Sequence, residues 1–256
     1  MSASRPPSRI LNISIENVRM QDFLERLDHG VVVTPNVDHL VKLQRDHDFY
    51  LAYQAAEHIV CDSKIVQIAS RFLSAPLIEK ISGSDLFPAF CRHHRHDPDI
   101  RIFLLGAAPG VAREAMRRIN HDSGRELVVG EYSPPMGFET DPVENRKIVS
   151  LINQSGATVL AVGLGAPKQE IWIHRYREQL PQIRIFFAIG ATIDFMAGNI
   201  PRAPKWLSDC GLEWLYRLSR EPGRLWKRYL VDDTHFFWLL LKQRLGLYRN
   251  PWAEAT

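Results

Sequence analysis

The chain of 256 residues is 45% hydrophobic with a net charge of +3, a composition that can fill the core of one large domain, alone or with an appendage, and that predicts a globular protein. No apolar run approaches the ~18 residues needed to span a bilayer, and the N-terminal MSASRPPSRILNISI lacks the continuous apolar stretch of a secretory signal. Three cysteines, Cys61, Cys91 and Cys210, stand far apart without a CxxC pair, which speaks against a zinc ribbon or a disulfide framework and fits a reducing cytoplasm.

The first strong element is Val31 to Val33, a β-branched run of the kind a sheet buried on both faces requires, and it stops at Thr34-Pro35-Asn36 because Pro35 has no N–H to give the ladder. From about Asn36 to Asp38 a helix is predicted. Apolar Val37, Leu40, Val41, Leu43, Phe49, Ala52 and Tyr53 follow at helical spacing. Further strands are predicted over 58–61, 101–106, 126–132, 158–163 and 184–190, with helices over 64–74, 84–95, 110–121, 142–155 and 168–179. This alternation builds βαβ units, so the expected fold is α/β: a Rossmann-like, mainly parallel sheet with helices on both faces.

From Pro201 onward the pattern is helical alone, and a boundary near 200 separates an α/β domain, 1–200, from a helical C-terminal appendage, 201–256. The appendage holds ten Lys and Arg against six Asp and Glu, with Arg217, Arg220, Arg224, Lys227 and Arg228 interleaved among Trp214, Tyr216, Trp226 and Tyr229. That mixture attracts phosphate, whether of a nucleotide, a nucleic acid or a lipid headgroup.

Ligands of open α/β sheets bind at the carboxyl ends of the strands, and four such turns carry unusual chemistry. The first is Thr34-Pro35-Asn36. In the second, Cys61-Asp62-Ser63, Asp62 reads equally as a helix N-cap or a functional acid; side-by-side parallel strands would bring it to the same crevice as Thr34. The third, GLGAPKQE, offers Gly163 and Gly165 for close backbone approach, Pro167 at the first helical position, and Lys168 and Gln169 at a helix start that attracts an anion. The fourth, AIGATIDFMAG, sets Asp194 in a glycine-flanked loop. FLLGAAPGVARE, with Gly106 and Gly110, is a βα turn that lines the same edge but is not the GxGxxG of a dinucleotide site.

Other features are read as surface or core. Adjacent His93, His94 and His96 point in different directions, the acidic pairs Asp46/Asp48 and Asp97/Asp99 lie inside a helical pattern and before a strand, and WLLLKQRLGLY has the spacing of packing residues. No metal site and no cofactor are expected.

Taken in order, TPNVDHL, CDS, ISGSDL, FLLGAAPG, GLGAPKQE, FAIGATIDFMAGNIPRAP and GLEWLYRLSREPGRLWKRY make the chain resemble the WecG/TagA/CpsF family of bacterial glycosyltransferases over about residues 10–245. The resemblance implies transfer of a sugar from a nucleotide sugar, usually a UDP-sugar, to a polyprenyl-diphosphate-linked saccharide on the cytoplasmic face of the membrane, with inversion and without metal. Carried over to this chain, it implies Asp62 as the base, Thr34 and Asn36 orienting hydroxyls, and Lys168 and Gln169 at the nucleotide. Gly106, Gly163, Gly165 and Asp194 would line that site, and Arg217, Arg224 and Arg228 would stand against the departing diphosphate. Many members carry Asp-Gly where this chain has Asp62-Ser63, so the donor sugar is left unnamed. Expected partners are the UDP-sugar, the lipid-linked acceptor and the cytoplasmic membrane surface, not nucleic acid; homo-oligomerisation stays open. Two other readings stand beside this one. A Rossmann-type oxidoreductase is disfavoured by the missing GxGxxG, and a nucleic-acid or membrane module acting through the tail leaves the four polar turns unexplained.

Overall fold

The computed structural model describes residues 5–200, 207, 212–220, 222–227 and 233–253. It begins with an antiparallel hairpin of β1 (Arg5–Ile10) and β2 (Ile13–Asn17), followed by α1 (Met20–Arg26). Neither was anticipated from the sequence. The signal for the hairpin is the inward set Ser8, Ile10, Ile13 and Ile15, interrupted by the turn at Leu11-Asn12.

Six parallel strands follow: β3 (Gly30–Val33), β4 (His58–Ile59), β5 (Ile102–Gly106), β6 (Val128–Tyr132), β7 (Val159–Gly163) and β8 (Ile185–Ala188), in the spatial order β4-β3-β8-β7-β5-β6. Their side chains alternate between two cores. Val31, Val33, Phe103, Leu105, Leu160, Val162, Phe186 and Ala188 face one. Val32, Ile102, Leu104, Val159, Ala161, Ile185 and Phe187 face the other. Burial on both faces is why these strands read as continuous apolar runs.

The first core is covered by α2 (Val37–Lys42), α3 (His47–Gln54), α4 (Lys64–Phe72), α7 (Pro142–Ser155) and α8 (Lys168–Tyr176) together with the hairpin. The second is covered by α1, α5 (Gly83–His93), α6 (Val111–Ser123) and α9 (Thr192–Ala197). The α/β architecture with a mainly parallel sheet is therefore as the sequence predicts. The helix expected to run from Asn36 to Tyr53 is instead two helices. Asp46 accepts from the Phe49 N–H at 3.0 Å and caps α3, so the acidic pair Asp46/Asp48 marks a helix start, not a helix interior. An Asp side chain that bonds nearby backbone competes with helix continuation, and this overrides the periodicity across the break.

Beyond residue 200 the described helices are α10 (Glu213–Arg220), α11 (Pro222–Lys227) and α12 (Thr234–Arg244). The last returns to the first core, burying Phe236, Leu239 and Leu240. Gln243 ties it to the hairpin, accepting from the Leu11 N–H at 2.7 Å and donating to the Arg9 carbonyl at 2.9 Å. The Trp252 indole N–H donates to the Leu43 carbonyl at 2.8 Å. The end of the strand–helix alternation near 200 is thus not the end of the core.

Candidate active site

The chain leaves β5 through α6 toward the sheet edge at β6 and leaves β7 through α8 inward to β8, over opposite faces. The neighbouring strands β5 and β7 therefore form a switch point, and the edge outside their carboxyl ends is where open α/β sheets bind ligands. Gly106 and Gly163 meet there. A Cβ on Gly106, whose φ is +118°, would lie 2.5 Å from the Gly163 carbonyl oxygen, and one on Gly163 would lie 2.7 Å from Ile193 Cδ1. Both glycines answer first to the approach of one turn to the next.

Thr34 and Asp62 come together as side-by-side strands predict, since β3 and β4 are parallel neighbours. What joins them is Gly83 at the start of α5. Its N–H donates to Asp62 Oδ1 at 3.2 Å, and a Cβ placed on it would stand 3.3 Å from Thr34 Oγ1 and 3.7 Å from Ile189 Cα. The ends of β3, β4 and β8 thus converge on one glycine. The N-cap of α4 is Ser63, which accepts from the Ile65 N–H at 3.2 Å. Asp62 is half-buried and points instead toward the N-terminus of α5, so the acid that could have been an ordinary cap of the following helix is held at the start of a different one. Ser63 has its own structural employment.

Asn36 caps α2, its Oδ1 accepting from the His39 N–H at 3.2 Å. Lys168 is the first residue of α8, with Pro167 one place earlier as the N-cap, and its ammonium is paired with Glu139. That hydrogen bond holds the Glu139 carboxyl below its ordinary range. Gln169 is 3% exposed, and its side chain is engaged within the protein. Its Oε1 accepts from the N–H groups of Gly165 at 3.2 Å and Gly190 at 3.0 Å, and its amide donates to Glu170 Oε1 at 2.9 Å. Asp194 lies in α9 and not in a loop; it is half-buried, and burial raises its pKa. Arg217 and Arg224 fall on α10 and α11, but their side chains, like all of Arg228, lie outside the described residues.

Beneath the carboxyl edge of the sheet is a polar layer that sequence reasoning did not assign. Asp38 and His39 are nearly buried; Lys42 Nζ donates to Asp38 Oδ2 at 2.8 Å and to the Ala166 carbonyl at 3.4 Å, tying α2 to the β7 turn. His39 Nδ1 and the Tyr53 hydroxyl are 2.7 Å apart. Burial raises the Tyr53 pKa well above the phenol range, with Glu170, Asp62 and Asp38 adding negative potential. Burial likewise pushes Glu170 up to about 7. The legible signals were Asp38 and Lys42 at a spacing of four on one helix, and the serine–acid pair of ISGSDL, where Ser82 Oγ donates to Asp85 Oδ2 at 2.5 Å. Among the described residues no three His, Cys, Asp or Glu side chains converge as metal ligands; His94 is held by Asp97 at 3.2 Å.

A half-buried carboxylate and a threonine at adjoining strand ends, beside a glycine-rich turn that opens a helix, can accept a proton from a hydroxyl and orient a polar ligand. Known proteins with this sequence pattern carry out group transfer. The chain is 30% identical over 222 residues to an N-acetylglucosaminyldiphosphoundecaprenol N-acetyl-beta-D-mannosaminyltransferase of Bacillus spizizenii, covering 87% of this chain and 83% of that one. It is 28% identical over 258 residues to a protein of the same description from Bacillus subtilis, covering 96% and 97%. Residues 8–250 match the family described as Glycosyl transferase WecG/TagA/CpsF, and the chain is a glycosyltransferase of that family.

Proposed function

We propose that this glycosyltransferase moves a sugar from a UDP-sugar to a polyprenyl-diphosphate-linked saccharide, with inversion and without a metal, at the inner surface of the cytoplasmic membrane. The observation that carries the reading is the convergence of Asp62, Thr34 and the Gly83 N–H at three strand ends. The acceptor class follows the relatives, whose names specify an N-acetylglucosaminyl-diphospho-undecaprenol.

Inverting transfer is a single displacement at the anomeric carbon. The acceptor oxygen attacks, its proton passes to a base, and the nucleoside diphosphate leaves with the bonding pair. Asp62 is the base in this reading. The Gly83 N–H holds one of its oxygens and fixes the direction of the carboxylate. Thr34 orients the sugar or acceptor, with Asn36 directing the start of α2 beside it. The start of α8, with Lys168, faces the diphosphate, and Gly106, Gly163, Gly165 and Asp194 border the nucleotide. The charge on the leaving group is met by Arg217, Arg224 and Arg228, since a guanidinium binds phosphate oxygens in pairs.

Membrane contact is supported by α12, where Phe237 and Trp238 are 55% and 53% exposed. Lys242 lies 5.3 Å from the Trp238 ring centre, an apolar and basic mixture suited to an anionic interface. Among the described residues no helix is long and apolar enough to cross a membrane.

The test is to incubate the protein with a panel of UDP-sugars and a short polyprenyl-diphosphate-N-acetylglucosamine, reading product mass and anomeric configuration with and without EDTA. One added sugar, inverted, formed equally in EDTA, is the expected result. Activity should fall sharply in Arg224→Ala and partly in Arg224→Lys, which keeps charge without the fork. Loss in EDTA with rescue by Mn2+, and an indifferent Arg224→Ala, would overturn the metal-free mechanism.

A further inference from the structure

Glu170 follows Gln169 on α8 and is 2% exposed. Its Oε1 accepts from the Gln169 amide, while its Oε2 has no hydrogen-bond partner among the described residues. Lys42 and Asp38 of α2 lie within electrostatic reach, as does Tyr53 of α3. A carboxyl buried in this way is costly unless it does something an apolar side chain could not. What it does is evident from its neighbour. An amide has a donor end and an acceptor end, and Glu170 Oε1 accepts whether the carboxyl is ionised or carries a proton on its other oxygen, so Glu170 takes the donor end of Gln169 and turns the carbonyl the other way. That carbonyl receives the Gly165 N–H from the turn after β7 and the Gly190 N–H from the turn after β8, at 3.2 and 3.0 Å. A single side-chain oxygen therefore sets the separation of two turns at the carboxyl edge of the sheet, and the bond from Lys42 to Ala166 braces the first of them from α2.

We propose that Glu170 is a positioning residue of the donor site: it fixes the direction of the Gln169 amide, and through it holds the Gly165 and Gly190 turns at the separation the nucleotide requires. The part concerning the nucleotide rests on the function proposed above. The role is directional, so exchanging the two side chains should preserve it. In Gln169→Glu, two carboxyl groups oppose each other; in the double variant Gln169→Glu/Glu170→Gln, the donor sits at 170, the acceptor at 169, and an oxygen still faces both glycines. Glu170→Leu alone removes the acceptor for the Gln169 amide.

Two measurements test this on the full-length protein at neutral pH: UDP affinity by calorimetry, and hydrogen exchange at the Gly165 and Gly190 amides. Gln169→Glu should weaken UDP binding about tenfold and speed exchange at both glycines by a similar factor, the worth of one hydrogen bond to a charged group. Glu170→Leu, which removes the acceptor that orients the amide, should weaken UDP binding and speed exchange in the same direction, and the double variant should recover most of the loss of Gln169→Glu; a Glu170→Leu equal to wild type in both would also overturn the proposal. Should Gln169→Glu not fold, the double variant still decides, because it must fold with protected glycines and bind UDP. A double variant no better than Gln169→Glu, or a Gln169→Glu indistinguishable from wild type, would overturn the proposal. Wild-type protein that ignores UDP while the exchange pattern holds would refute the UDP-sugar reading and leave the coupling of the turns standing.

Discussion

At Asp62 the proposed role as base starts from a carboxylate that does not cap the helix immediately after it. Ser63 caps α4, while Asp62 accepts from Gly83, twenty-one residues away in sequence. Asp62→Asn keeps the shape and the acceptor toward Gly83 but removes the basicity, so turnover should drop at least ~100-fold, the lower range for general-base catalysis, with UDP affinity little changed. Near-normal turnover would remove Asp62 from that role. Glu170 makes a separate prediction about stability. Burial raises its pKa from 4.5 to about 7, so the folded state holds the proton more tightly than the unfolded one. The associated stability is fully present below about pH 4.5 and is lost as pH rises through 7, to a total on the order of 3 kcal/mol. Urea titrations from pH 4.5 to 8 should show this decline against the other titrating groups, and Glu170→Gln, which has no proton to lose, should be less sensitive over that window. Equal slopes in the two proteins would contradict the burial argument.

The turns and helix starts are where local and long-range demands compete. By the resemblance read from the sequence, many members carry Asp-Gly where this chain has Asp62-Ser63, a difference that on sequence alone left the donor sugar open. In the folded chain the Ser63 hydroxyl caps α4, which serine does better than glycine. Ser63→Gly should therefore leave the preference among UDP-sugars unchanged and cost only a few tenths of a kcal/mol, while Ser63→Ala should cost about 1 kcal/mol. A change of preferred sugar in Ser63→Gly, measured over the same donor panel, would return Ser63 to the binding site. The break between α2 and α3 has the same origin. The apolar spacing continues across it, but the Asp46 cap and the turn before it interrupt the helix, and periodicity cannot register a change of axis when both halves bury the same face against one core.

For the whole molecule, the test case is the segment after residue 200. A boundary drawn where strands cease predicts that 1–200 folds alone. Yet α12 buries Phe236, Leu239 and Leu240 against the core shared by α2 and α3, and Gln243 completes hydrogen bonds of the hairpin. Truncation at 200 should thus lower the thermal midpoint and expose apolar surface detectable by dye binding. Phe236→Ala alone should cost about 3–5 kcal/mol, the usual range for a buried phenylalanine. If the truncated chain unfolds at the wild-type temperature, α12 contributes no stability. Trp238→Ala, on the exposed side of the same helix, should instead weaken binding to anionic liposomes with the midpoint unchanged.

Much of this fold could be read directly from the residues. Strands buried on both faces must be continuously apolar, so Val31–Val33, Ile102–Leu105 and Val159–Val162 announced themselves, and the polar turns after them marked the candidate site. The residue types of Thr34, Asp62 and Lys168 likewise told what chemistry that edge could hold. Which turns touch was decided only by tertiary structure. Strand order depends on where each crossover returns, and neither the bond from Gly83 to Asp62 nor that from Gly190 to Gln169 has a periodic trace, each spanning twenty-one residues between separate elements. The same holds for Gln169. Its type suggests a ligand contact, but a buried amide must satisfy both its ends, and in the folded chain Gly165, Gly190 and Glu170 satisfy them.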